Sequence, residues 1–366
     1  MKYIGQTHFN HEDIQPKRAV LLCNLGTPEA PTAPALRRYL RQFLSDSRVV
    51  ELPALLWKVI LYLFVLTFRP KRSAALYKKV WTQQGSPLMV HSLAQQEQLQ
   101  ANLFAAGLHD VIVETTMCYG QPSVSHVLNK LKQLDVREIM IIPMYPQYSG
   151  ATTGATFDSL ARVLMRYRWV PQLHFLNGYH QHPLYIQALA TSIQQHLTTH
   201  GQPDIVLFSY HGTPLSYLKK GDPYHCFCHQ TTRRVLEYLG WSAGDAKTCF
   251  QSRFGKNEWL QPYTEATLIE LAEQGLRHVA VICPGFSADC LETIDEIERE
   301  AREVFLEHGG QTFHYIPALN ATSAHIEMLS SLVQQQLHSV APPKQQPSAS
   351  VNCAADHAKA ASCPSA

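Results

Sequence analysis

The sequence predicts an α/β protein made of two similar halves, each a parallel β-sheet flanked by helices. Three observations carry this. Short apolar runs alternate with longer helical patterns, as in βαβ units around a parallel sheet. The first run, AVLLCNLGTP, is answered by IVLFSYHGTP, so Gly26-Thr27-Pro28 corresponds to Gly212-Thr213-Pro214. REIMIIPMYP around Pro143 is answered, in the same order, by RHVAVICPGF around Pro284. Two landmarks repeated in order point to a duplicated open α/β unit.

In chain order, strands are expected at Ala19–Leu25, Val111–Met117, Glu138–Met144 and Leu173–Leu176, then at Asp204–Tyr210, Lys247–Gln251, His278–Cys283 and Thr312–Ile316. Amphipathic stretches at Leu93–Ala106, Pro122–Gln133, Pro262–Gln274 and Cys290–Glu307 supply the flanking helices. The implied layout is an N-terminal extension (1–17), a first domain (18–165), a second domain (166–340) and a tail (341–366) rich in Pro, Ser, Ala and Gln that reads as disordered. A helix around His325–His338 is expected to pack back across the boundary. Ligands of open α/β sheets bind beyond the carboxyl ends of the strands, so both GTP turns and both post-strand proline segments fall where an interdomain cleft would open.

Leu52–Phe68, LPALLWKVILYLFVLTF, departs from this scheme. Its 17 residues contain a proline and Lys58, short of the roughly 20 apolar residues of a spanning helix. It is followed by Arg69-Pro70-Lys71-Arg72. Taken alone it reads either as a buried helix or as a lip resting in a membrane surface.

Composition narrows the function classes. Lys+Arg 31 against Asp+Glu 29 gives a net charge of +2, too balanced for bulk nucleic-acid binding. Nine scattered cysteines do not make a secreted disulfide framework. The N-terminal MKYIGQTHFNHEDIQPKR has no apolar core of a signal peptide, so a reduced, cytoplasmic protein is expected. G-x-x-x-x-G-K-[ST], G-x-G-x-x-G and G-x-S-x-G are all missing from the sequence, which argues against the common nucleotide and hydrolase sites.

The residues with chemical capacity lie in the second half. His211 follows the apolar run DIVLFSY and precedes Gly212, so a titratable ring sits at a strand's carboxyl end beside a residue that lets other atoms approach. Asp289, Glu292, Glu296 and Glu300 are spaced by 3, 4 and 4 and form one stripe on a helix. That stripe is either the solvated side of an amphipathic helix or a carboxylate line that hands a divalent cation inward and accepts protons. Cys226 and Cys228, flanked by His225 and His229, lack zinc-pair spacing and read as helix-start packing. Cys353, His357 and Cys363 read as stray ligands in the tail.

These motifs together resemble the ferrochelatase family, from about Arg18 to about Leu337. The markers are LLCNLGTPEAP, FLSDSRVV, GSPLMVHS, YPQYSGATTG, SYHGTP, GDPYHCFCHQTTR, FQSRFG and PGFSADCLETIDEI. The resemblance implies a bacterial-type enzyme with two Rossmann-like, chelatase-type halves that clamp protoporphyrin IX, the Fe2+ being substrate and not a prosthetic group. It assigns His211 and Glu292 as the central metal-binding and proton-accepting pair, with Glu296 and Glu300 as the acidic row behind them. It places Leu25, Tyr77, Ser86 and Tyr119 on the pocket lining, and Arg69 and Arg72 at the substrate's propionates. A [2Fe–2S] cluster of the animal type is not expected, because its interior cysteine position is Gly150 here and the tail offers only Cys353 and Cys363, against the usual four thiolates. Cys290 stands where animal enzymes carry a histidine. A substrate that partitions into lipid favours the lip reading of Leu52–Phe68 and peripheral contact with the inner face of the cytoplasmic membrane, alongside an iron donor or a protoporphyrinogen-oxidising enzyme. The rival readings are a chelatase for coproporphyrin III or sirohydrochlorin, and a porphyrin or haem carrier without catalysis.

Overall fold

The computed structural model describes residues 17–253, 255 and 257–338, together with Tyr3. The 341–366 tail, with Cys353, His357 and Cys363, and nearly all of the 1–17 extension lie outside the described residues. Among the described residues, eight strands form two all-parallel sheets: β1 (Lys17–Asn24), β2 (Val111–Met117), β3 (Val136–Pro143) and β4 (Gln172–Phe175), then β5 (Ile205–His211), β6 (Ala246–Gln251), β7 (His278–Ile282) and β8 (Thr312–Ile316). The strand orders are β2-β1-β3-β4 and β6-β5-β7-β8. The second sheet thus repeats the first, as the paired GTP and proline landmarks predict.

The strands alternate between two cores. In β1, Val20 and Leu22 face a core shared by both halves, whereas Ala19, Leu21 and Cys23 face an outer one. In β5, Val206, Phe208 and Tyr210 face the shared core and Leu207 faces its own outer core. The period of two is that of any strand. Because both faces are covered, the sequence reads as a continuous apolar run. The shared core also takes Tyr185, Ile193, Ile326 and Val333 from the helices Pro183–His200 and Ser323–His338. The last helix does pack back on the first half: it lies against the helix Pro87–Ala105, and Gln336 Nε2 is 3.0 Å from His174 Nδ1.

One boundary is corrected. β4 pairs in parallel with β3, from Glu138↔Gln172 to Ile141↔Phe175, so the first sheet continues past the 165/166 division. The chain changes halves after Phe175, through Pro183–His200. A short edge strand of four residues, QLHF, gives little apolar signal with which to assign its sheet.

Both GTP glycines answer the same steric demand. A Cβ on Gly26 (φ +120°) would come 1.7 Å from the Tyr119 carbonyl oxygen, and one on Gly212 would come 2.8 Å from that of Gln251. Each glycine lets the end of the central strand cross tightly beneath the segment that ends its neighbour.

From Ala54 on, the apolar segment Leu52–Phe68 belongs to one continuous helical run, Ala54–Ile60, Leu61–Val65 (π-helical) and Leu66–Val80. Leu61, Leu66, Ala74 and Tyr77 turn inward to a cluster with Leu36, Tyr39 and Tyr119. Leu55, Leu56, Val59, Leu63, Phe64 and Phe68 turn outward, with Leu55 81% and Phe68 71% exposed. The simple buried-helix reading is therefore wrong for half of this segment. Among the described residues no helix is long and apolar enough to cross a membrane.

Candidate active site

The carboxyl ends of the two sheets meet. Ser287 Oγ, after β7, donates to the Met144 carbonyl after β3 at 2.8 Å, and Gln147 Nε2 donates to Thr231 Oγ1 at 2.9 Å. The segment around Gly150 docks on Asp222, whose Oδ2 accepts from Ser149 Oγ (3.0 Å) and from the Gly150 backbone N–H (2.7 Å). Leu291 packs into the cluster of Leu25, Tyr39, Tyr77 and Tyr119. Two of the quoted motifs, YPQYSGATTG and GDPYHC, thus serve to hold the halves together.

His211 ends β5, half-buried, opposite Gln251 of β6. Its Nδ1 lies 2.7 Å from the Gly212 carbonyl oxygen. A carbonyl only accepts, so Nδ1 carries the proton and Nε2 presents a lone pair. The carboxylates come from the helical segment after β7. Glu292 is half-buried, and its carbonyl accepts from Gln251 Nε2 at 2.8 Å. The Gln251 Oε1 in turn accepts from Ser209 Oγ at 2.8 Å, which fixes the carboxamide orientation. Glu296 Oε2 accepts from Ser252 Oγ at 2.6 Å. Burial raises the Glu296 pKa; the Ser252 hydroxyl and His211 oppose that rise, and Glu292 adds to it. His211, Glu292 and Glu296 therefore share one electrostatic environment.

The stripe does not stay together as a unit. Asp289 is buried and saturated: its carboxylate accepts from Thr293 Oγ1 (2.9 Å), Tyr315 OH (2.5 Å), Asn320 Nδ2 (2.7 Å) and the Ala318 N–H (3.3 Å). It braces the turn into the helix. At the far end Glu300 is exposed and pairs with Arg299 at 2.8 Å. Glu300 thus stands apart from the other three expected metal ligands. Ile294–Ala301 winds as a π-helix, a departure that residue spacing alone does not announce.

Around the carboxylates lie phenols. Burial, with Glu292 also contributing, pushes the Tyr39 and Tyr77 hydroxyls well above their usual range, so both remain neutral. Tyr77 and Leu25 belong to this cluster. Tyr119 does so with its ring, while its hydroxyl donates to Asp46 Oδ2 at 3.0 Å. Ser86 is almost fully buried and caps the helix Pro87–Ala105 by accepting from the Met89 N–H at 3.4 Å. Arg69 is half-buried, its pKa lowered by burial and then by Arg72, which is itself exposed. Cys228 is buried in the shared core and Cys226 is exposed, so of the two only Cys228 packs inside, on the helix Tyr224–Leu239.

Gln251 and Ser252 escaped the residue-by-residue reading. Both stand in the quoted FQSRFG marker, but glutamine and serine carry no charge pattern that singles them out.

Two sheets meeting at their carboxyl ends, with a histidine and paired carboxylates between them, define a chelatase-type fold. The sirohydrochlorin chelatase SirB from Bacillus subtilis subspecies spizizenii, solved in complex with cobalt, superposes with a TM-score of 0.52 over 88% of this chain and 97% of its own, at 9% identity, a likeness of fold alone. The ferrochelatase family model matches residues 17–337. Similar proteins named ferrochelatase include those of Idiomarina loihiensis (50% identical, covering 92% of each chain), Pseudoalteromonas atlantica (51%, covering 92% of this chain and 93% of the relative) and Alcanivorax borkumensis (49%, covering 93% and 100%). The chain belongs to the ferrochelatase family. It is a lyase of haem biosynthesis that inserts iron into a porphyrin.

Proposed function

We propose that the porphyrin is protoporphyrin IX and that His211, Glu292 and Glu296 form the metallation centre. The reading rests on one observation above all: a half-buried Glu296 carboxylate held by Ser252 and electrostatically joined to both His211 and Glu292. Metallation requires two pyrrole N–H protons to leave as Fe2+ enters, so the porphyrin and Fe2+ become haem and two protons. With Nδ1–H bound to the Gly212 carbonyl, His211 offers Nε2 as a proton acceptor or metal ligand. Glu292 stabilises the incoming dication, and Glu296 behind it takes up a released proton more readily for having a raised pKa. Glu300, exposed beside Arg299, serves as an outer relay to solvent and not as a ligand.

The apolar cluster of Leu25, Tyr77 and Tyr119 suits the macrocycle, and Arg69 and Arg72 at the base of the lip suit its propionates. The outward row from Leu55 to Phe68 supports peripheral contact with the inner face of the cytoplasmic membrane, where such a substrate concentrates. No resident prosthetic group is assigned. The position of the animal-type cluster cysteine is Gly150, whose N–H is committed to Asp222.

Anaerobic absorbance assays of porphyrin-to-haem conversion test this, with wild type, His211→Ala and Glu292→Gln run beside one another and coproporphyrin III as competitor. Each substitution is expected to lower turnover by about 10²–10⁴-fold while porphyrin binding persists. Full activity in both variants would remove these residues from the centre. Preference for coproporphyrin III would reassign the substrate.

A further inference from the structure

His196 and His200 lie one turn apart at the end of the helix Pro183–His200, and His314 faces them from the edge strand β8. One ring nitrogen from each lies within 4.8 Å of the others. The ring centroids are 4.3 Å (His196–His200), 4.6 Å (His200–His314) and 5.3 Å (His196–His314) apart, and His278 stands 5.2 Å from His314. His196 Nε2 is buried without a hydrogen-bond partner. Burying a polar nitrogen without a partner is costly, yet it is held here among other imidazoles. A tetrahedral zinc with Zn–N bonds of about 2.0–2.1 Å sets its nitrogens roughly 3.4 Å apart.

We propose that His196, His200 and His314 form a second metal site for a divalent first-row cation of the zinc class, with one position left to water. Three imidazoles without thiolate suit zinc, nickel, copper and cobalt, and the general affinity order places ferrous iron below them. The site is separate from the metallation centre. His278 opens β7 and Glu292 follows its far end, so roughly 13 Å of strand, four steps of about 3.3 Å, lies between the two regions. Arg302 adjoins His314 and weakens the site to some degree. A bound cation would fasten the end of the helix to the edge strand.

The test uses the full chain without a polyhistidine tag, stripped with chelator, carrying His211→Ala and Glu292→Gln to silence the other centre. Titration with CoCl2 is expected to give one equivalent of visible d–d absorption, displaced by ZnCl2. Adding His200→Gln, an exposed position that leaves the fold intact, is expected to weaken binding roughly tenfold or more, and His314→Gln likewise. Zinc is expected to raise the melting temperature of the parent and not of the His200→Gln protein. Uptake that His200→Gln leaves unchanged, or no uptake by the parent, would overturn the proposal. If His314→Gln alone melts lower in chelator, the His200→Gln result decides.

Discussion

Ser252 Oγ donates to Glu296 Oε2 at 2.6 Å, from a residue whose backbone is itself left-handed at φ +68°. The hydroxyl favours the charged carboxylate, whereas burial and Glu292 favour the neutral acid. Deleting the hydroxyl removes a stabiliser of the anion, so the Glu296 pKa rises further. Hydrogen bonds to charged groups are worth about 1.5–3 kcal/mol, or roughly one to two pH units. In Ser252→Ala the acid limb of the kcat/KM profile for haem formation is expected to move up by about that much, with little change on the alkaline side. An unmoved acid limb would mean that Glu296 is not the carboxyl seen by the rate.

Asp289 belongs to the stability of the site more than to its chemistry. Its side chain accepts four hydrogen bonds in a buried setting, and its own backbone N–H donates to Asn320 Oδ1 at 2.8 Å. Asp289→Ala orphans several of those donors at once, at a cost of about 3–5 kcal/mol. Urea unfolding monitored by circular dichroism is expected to show that loss. A variant of wild-type stability but no activity would instead place Asp289 in the reaction.

The two sheets were legible because strands covered on both faces leave uninterrupted apolar runs, and because His211-Gly212 repeats the position of Leu25-Gly26. His211 stood out as a titratable group at a strand end, and the family resemblance singled out both His211 and Glu292. The edge strand Gln172–Phe175 was harder to place, since its four residues carry almost no pattern. The division of labour within the acidic stripe was not readable either. Asp289, Glu296 and Glu300 have the same charge and regular spacing, and only the Tyr315, Ser252 and Arg299 contacts tell them apart. Those partners lie 26, 44 and 1 residues away in the chain. The trio His196, His200 and His314 joins a helix to a strand more than a hundred residues on, a juxtaposition that sequence spacing does not encode.

The lip gives a prediction about location. Leu55 and Leu63 lie on its outward face and contribute nothing to the inner cluster of Leu61 and Leu66. Transferring such a side chain from water to lipid is worth about 1.5–3 kcal/mol. Leu55→Asp with Leu63→Asp is expected to abolish co-sedimentation with vesicles containing anionic lipid, without lowering the melting temperature. Turnover with detergent-dispersed porphyrin should persist. Equal vesicle binding by wild type and the double variant would remove the lip from membrane contact.

His325 predicts how the protein responds to acid. It is fully buried, with Nδ1 2.6 Å from the Asn320 carbonyl and Nε2 without a partner. Burial lowers its pKa from 6.5 to about 4, against a smaller opposing effect of the Asn320 bond. The folded protein therefore holds this ring neutral at pH values where the unfolded chain protonates it. Between about pH 6.5 and 4 the unfolded state binds more protons, so stability is fully present above the upper value and falls as the pH drops through that window. The full difference is on the order of 3 kcal/mol. His325→Gln keeps a donor for the Asn320 carbonyl but does not titrate. Its stability, measured by urea unfolding across that window, is expected to decline with acid less steeply than that of wild type by up to this amount. Parallel pH profiles for the two proteins would show that the acid response comes from other groups.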